Sequence, residues 1–243
     1  MLQTTKGIVI HHFKYGEKSV IAKIYTEKFG LQSYLLNGVR NQKSKNKAAY
    51  LQPLSLIEIN AFYKEKKGLQ KVKNIQLDTP FNSIPFNINK SSIAFFLAEI
   101  LYKSIKEEEA NSNLFDFLYN SIQVLDLQEI GYNNFHLLFL AHLTKYLGFH
   151  PHINTNGTNL NSYFDLQEGC FVTLQPYHNA FAQKQDSSIL LHVFGTNFDA
   201  AETLKIDPKQ RKMLLTIFLD YYSLHLSNFD NLKTIAILEE VLN

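Results

Sequence analysis

GIVIHHF (7–13), SVIAKIYT (19–26), LQSYLLN (31–37), LSLIEINAFY (54–63) and LQKVKNIQL (69–77) are five short runs rich in Val, Ile, Leu and Tyr. Such residues favour the extended backbone. Turn-forming clusters part them: Lys14–Lys18 around Gly16, Lys28-Phe29-Gly30, a polar loop from Asn37 to Lys47, and Lys64–Gly68. Apolar and polar positions alternate imperfectly, as expected of strands that curl. Five short antiparallel strands in about 75 residues match a small closed barrel such as an OB-fold. Residues 1–78 are therefore expected to form one barrel domain.

The pattern changes beyond residue 78. Residues 79–90, TPFNSIPFNINK, hold Pro80 and Pro85 with no periodicity and read as a linker. A helical period then sets in. Ile93, Phe96, Leu97, Ile100, Leu101 and Ile105 share one face, with Ser91 or Ser92 as the expected N-cap. Leu114, Phe117, Leu118, Ile122 and Leu125 mark a second helix. Phe135, Leu138, Phe139, His142, Leu143, Tyr146 and Leu147 mark a third, closed by Gly148. Residues 149–184 lose the period, and YFDLQEGCFVTL (163–174) reads as a hairpin turning near Glu168-Gly169. SSILLHVFG (187–195) is a short helix. Asp207-Pro208 caps another, with Leu214, Ile217, Phe218, Tyr221 and Leu224 on one face. A last helix is expected from about Leu232 to Leu242. The fold class is α+β and multidomain: a barrel, then a helical domain over 91–148 and 185–243, interrupted by a small insert over 149–184.

Composition narrows the function classes. The chain has 243 residues, 45% apolar and 19% charged, which suits packed domains and excludes a wholly disordered chain. No apolar run approaches the length of a membrane span, and the N-terminus lacks a signal-peptide pattern. A cytoplasmic protein is expected. One cysteine, Cys170, excludes an internal disulfide and a thiolate-rich zinc site.

The formal net charge of +2 conceals a division. Residues 1–78 carry 14 basic and 5 acidic residues, a net of +9. Residues 79–243 carry 10 basic and 17 acidic residues, a net of −7. A basic block beside an acidic one points to a polyanion-binding module joined to a module with another task.

Arg40-Asn41-Gln42-Lys43-Ser44-Lys45-Asn46-Lys47 places four cations in eight positions with no acid. Such a loop sets point charges along a phosphate backbone, where counterion release drives binding without sequence readout. Lys64, Lys66, Lys67, Lys71 and Lys73 form a second cluster, with Tyr63 as a base-stacking ring. The bland reading is a lysine-rich hairpin loop that is merely solvated; two clusters on one small barrel favour nucleic acid. There are 22 lysines and only two arginines, Arg40 and Arg211, which marks both as places where a planar, bidentate donor is wanted. His150, His152, Cys170 and His178 fall in the irregular middle segment without a metal-site spacing. His142, on an apolar helix face, reads as a core residue. No phosphate-binding loop, nucleophile elbow or zinc-protease motif occurs, so no enzymatic activity and no cofactor are expected.

A series of segments runs in order along the chain: Thr5-Lys6-Gly7-Ile8-Val9-Ile10, Leu36-Asn37-Gly38-Val39-Arg40 with Lys43-Ser44-Lys45 and Leu51-Gln52-Pro53-Leu54, and Leu147-Gly148-Phe149-His150-Pro151. Tyr163-Phe164-Asp165-Leu166-Gln167-Glu168-Gly169 and the closing Tyr221-Tyr222, His225-Leu226 and Leu232-Lys233-Thr234 continue it. In this order these segments resemble the bacterial RecO family of recombination mediators. The resemblance implies an N-terminal OB-fold, a helical domain and a zinc-ribbon-like insert. It also implies binding of single- and double-stranded DNA, strand annealing, and partnership with RecR and the single-stranded DNA-binding protein. Arg40, Lys43, Lys45 and Lys47 would then contact DNA. Arg211 and Lys212 would meet the acidic, aromatic C-terminal tail of the single-stranded DNA-binding protein. Many members carry four cysteines in the insert. Here Asn154–Asn159 holds none, so the insert is expected to be a degenerate ribbon that keeps its hairpin without zinc.

The expected function is DNA-binding mediation in the RecF pathway of DNA repair, in the cytoplasm on the nucleoid. The alternatives are an RNA-binding OB protein, or a metal-dependent hydrolase built on His150, His152 and His178.

Overall fold

The computed structural model describes residues 1–39, 49–65, 67–106, 108–153 and 161–242. Five strands open the chain: β1 (Leu2–Tyr15), β2 (Ser19–Thr26), β3 (Gly30–Leu36), β4 (Leu56–Phe62) and β5 (Gln70–Thr79). They close into a barrel in the order β1-β2-β3-β5-β4, with β1 also pairing β4. All pairs are antiparallel except β3 with β5, which run parallel. This is the OB-fold arrangement. β1 serves both halves: Leu2–Ile8 pair with β4, and Gly7–Tyr15 pair with β2 through a register shift between Val9 and His11. The shift bends the strand, which lets one long strand turn the barrel's corner. Val9, Ala22, Ile24, Tyr34, Leu36, Ile57, Ile59 and Ile75 fill the interior.

The helix α1 (Ile88–Ser104) packs against β1. For that reason Ile8 and Ile10 are as buried as Val9, and Gly7–Ile10 in the middle of β1 form a continuous run with both faces covered. A second helix, α2 (Ser112–Leu127), sets Tyr119 Oη 2.9 Å from Thr79 Oγ1. The first compact unit is thus Met1–Leu127, barrel and two helices together. The sequence pattern groups these helices with the later ones; their shared period conceals which surface each one buries.

Residues 80–87 are not a loose linker. The Asp126 carboxylate accepts from the backbone N–H groups of Asn82 (2.7 Å), Ser83 (2.9 Å) and Ile84 (2.9 Å). Asn87, not Ser91 or Ser92, caps α1, accepting from the N–H groups of Asn89 and Lys90. The two serines spend their hydroxyls on the Ile84 and Ile88 carbonyls.

The second unit spans Gln128–Asn243. Its central helix α3 (Phe135–Leu147) is buried over its first ten residues and ends on Gly148, at φ 83°. Against it pack α4 (Lys184–Gly195) and α5 (Pro208–His225), with α6 (Ile235–Leu242) closing the chain. Asp207 caps α5 with a full capping box to Gln210. The final helix begins three residues later than the pattern predicts.

The insert holds the expected hairpin, β6 (Tyr163–Asp165) with β7 (Cys170–Val172), turning through Gln167–Gly169. A third strand, β8 (Phe181–Ala182), pairs with β6 and is not legible in two residues. Phe164 centres an aromatic cluster, with ring centroids 4.8 Å from Phe171 and 5.2 Å from Tyr221. Asp165 shapes the turn, accepting from the N–H groups of Gln167 (2.9 Å) and Glu168 (3.0 Å). Among the described residues, no helix is long and apolar enough to cross a membrane.

Candidate nucleic-acid interface

The cationic loop Arg40, Lys43, Lys45 and Lys47 lies outside the described residues, as does Lys66. Its two anchors are described. Val39 before it and Leu51 after it are both buried in the barrel core. Past the loop, Leu54 adopts φ 63° and donates its N–H to the Val9 carbonyl at 2.7 Å, tying the return segment to the bend of β1.

The second cluster is assembled by one buried side chain. Gln70 Oε1 accepts from the Lys64 N–H at 3.0 Å, and Nε2 donates to the carbonyls of Lys64 (2.9 Å) and Lys67 (2.8 Å). The turn between β4 and β5 is thereby held shut, with the Lys64 and Lys67 side chains outward. Lys71 and Lys73 stand two apart on β5, exposed on its outer face while Val72 points inward. Among the described residues, no carboxylate pairs with Lys64, Lys67, Lys71 or Lys73. Lys6, by contrast, is matched by Asp78 at 3.2 Å. Tyr63 is half-buried and lies stacked on Phe29, centroids 3.9 Å apart at 14°. One of its faces is already covered, so only the other is left for a base.

The residues expected to meet a partner differ from each other. Arg211 is 8% exposed, and its guanidinium serves interior acceptors. Nε donates to Asn134 Oδ1 at 3.1 Å, one terminal nitrogen to the Leu242 carbonyl at 2.8 Å, and the other points to the Ile206 carbonyl at 3.4 Å. It clamps α5 to α6 from beneath, a role that needs three directed donors on one plane. Lys212 is exposed beside it and pairs with Glu239 at 2.8 Å.

The middle histidines do not converge. His150 Nδ1 lies 2.9 Å from Thr144 Oγ1, and His178 Nε2 lies 3.1 Å from the Asp165 carboxylate. The His152 backbone bridges that of Cys170. Among the described residues, no three His, Cys, Asp or Glu side chains gather as metal ligands, and residues 154–160 contain none of these types. The insert's donor set therefore does not fit the thiolate zinc site that a zinc ribbon would hold. His142 is buried, with Nε2 2.9 Å from the Thr196 carbonyl, as a core residue.

Sequence reasoning missed a set of exposed rings in the first unit. Phe13 is 45% exposed, Phe95 48% and Tyr102 42%. The signal was present: Phe95 and Tyr102 stand seven apart and off the apolar face of α1.

An OB-fold barrel with unpaired surface cations, followed by a helical unit, defines the class of protein. Comparison with known proteins gives the family. Residues 1–81 match the family "Recombination protein O N terminal" and residues 85–234 match "Recombination protein O C terminal". The chain is 37% identical to a DNA repair protein RecO of Phocaeicola vulgatus, over all of both chains. It is 38% identical to that of Bacteroides fragilis, again over all of both chains, and 31% to that of Porphyromonas gingivalis. The chain belongs to the RecO family of DNA repair proteins.

Proposed function

We propose that this protein is a DNA-binding recombination mediator of the RecF pathway, acting in the cytoplasm on the nucleoid. The barrel binds single- and double-stranded DNA through Arg40, Lys43, Lys45 and Lys47 and through the Lys64–Lys73 cluster. Its cations neutralise the phosphates of two strands, which lowers their repulsion and lets complementary strands anneal. No covalent bond is made or broken, so the protein acts without catalysis or cofactor. The observation that carries this reading is the net +9 over residues 1–78, set on a barrel whose Lys64, Lys67, Lys71 and Lys73 have no acidic partner among the described residues.

RecR is the expected assembly partner. The tail of the single-stranded DNA-binding protein is assigned to the crevice lined by Lys212, Leu215, Leu238, Glu239 and Leu242. There Lys212 would exchange Glu239 for a tail carboxylate, and Arg211 would support the crevice from within. Changing Arg40, Lys43, Lys45 and Lys47 together to Glu is expected to lower affinity for single-stranded DNA by about a hundredfold or more, because roughly four phosphates go unneutralised. Unchanged affinity in an anisotropy titration would sink the reading. RNA that competes on equal terms while RecR is not retained would favour the RNA-binding alternative.

A further inference from the structure

We propose that the first unit carries a base-stacking strip, separate from its lysine clusters, which receives the unpaired bases of a single strand. The strip starts on β1 and runs onto α1. His11 and Phe13 are two residues apart on one strand face, and the His11 ring lies 4.7 Å from that of Tyr102. Tyr102 shares a helix face with Phe95, about 10 Å along α1, so each ring serves a separate base. Phe95 forms one wall of an open groove of about 500 Å³, whose other walls include Pro53, Phe81, Ile84 and Pro85. The groove is mostly apolar, with Gln52, Ser55, Thr79 and Ser91 among its lining residues. Apolar walls that include aromatic and proline rings, with a few polar residues among them, suit a nucleobase, which has π faces and a polar rim.

Charge identifies the occupant as a polyanion. In sequence, the eight-residue cationic stretch ends at Lys47, two residues before Ala49, which lines the groove. Lys14, the next residue after Phe13 in the chain, and Lys18, past the turn at Gly16, are both exposed. The strip itself is a poor place for phosphate, because Glu99 sits on α1 between Phe95 and Tyr102 and acts on His11. The bases therefore face the rings, and the phosphates lie away from Glu99. This inference rests on the DNA-binding reading above and adds to it where the bases go. It also gives the protein a preference for unpaired strands, since bases in a duplex are already stacked.

The chain has no tryptophan, so Phe95→Trp places a single reporter in the groove of the full-length protein. Its emission should be quenched by oligo(dT) and not by an abasic oligomer of equal length, nor by duplex. Phe95→Ala and Tyr102→Ala should each weaken oligo(dT) binding about tenfold, leave abasic binding unchanged, and leave the salt slope unchanged. Both rings are half exposed, and matching unfolding curves would show that the variants fold. If the wild type binds both oligomers and Phe95→Ala binds oligo(dT) equally well, the strip is refuted while the DNA-binding reading stands. If the wild type binds neither, both fall. Concentration-dependent dimerisation that buries the Phe95→Trp reporter would assign the groove to a second copy and overturn the strip.

Discussion

Arg211 and His136 show what one residue can reveal of its role and what it cannot. Arginine is so scarce here that Arg211 stands out, and its chemistry, several directed donors, is legible. Its acceptors are not, because Asn134, Ile206 and Leu242 come together only through tertiary packing. His136 carries no comparable signal in the sequence. It is fully buried in α3 near Arg211, and desolvation, with the Arg211 charge, pushes its pKa down to about 3. The neutral ring is thus built into the fold. Unfolding lets His136 take a proton at its ordinary value of 6.5, which favours the unfolded chain as pH falls from there toward 3. Urea unfolding should therefore show stability that is full above pH 6.5 and declines below it. His136→Gln should flatten that slope by up to about 1.4 kcal/mol per pH unit. An unaltered slope would contradict the assignment.

Among the elements, the turn over residues 80–87 is the clearest departure from the sequence pattern. Two prolines and no period look like a linker, because the partner that orders the segment, Asp126, lies some forty residues on. Burial alone would raise the Asp126 carboxyl. The N–H groups of Asn82, Ile84 and Ser83 and the nearby Lys90 hold it below its ordinary value instead. Asp126→Ala strands those N–H groups and should destabilise the protein by roughly 3 kcal/mol, read from the midpoint of urea unfolding. Wild-type Asp126 contributes fully above the ordinary carboxylate range and loses its contribution as pH falls below it. The variant should lack that acid-side loss, and a variant as stable as wild type would show that the clasp is incidental. Elements set by local chemistry were legible: the Asp207-Pro208 cap, the Gly148 stop and the β6–β7 hairpin. Those set by distant contacts were not: the parallel β3–β5 closure and β8. The Asn87 cap is local, but Ser91 and Ser92 are equally good cap residues by type and obscured it.

For the molecule as a whole, the near-zero net charge is the sum of two opposed blocks, and the positive one coincides with the barrel. The strand runs and their turns made the five-stranded barrel legible from the sequence. The boundary after Leu127 was hidden, because helical periodicity records that a face is buried and not against what. The candidate interface was legible as charge, and the exposed rings of α1 were legible as aromatic positions off its apolar face. In the function proposed above, barrel cations bind the phosphate backbone without reading sequence. The direct measurement is the affinity of the full-length protein for labelled oligo(dT) over a series of salt concentrations. The log of affinity should fall linearly with the log of salt, by about 0.7 per phosphate neutralised, and reversal of Arg40, Lys43, Lys45 and Lys47 should reduce that slope by about 3. A slope that is near zero, or that the fourfold reversal leaves unchanged, would contradict it.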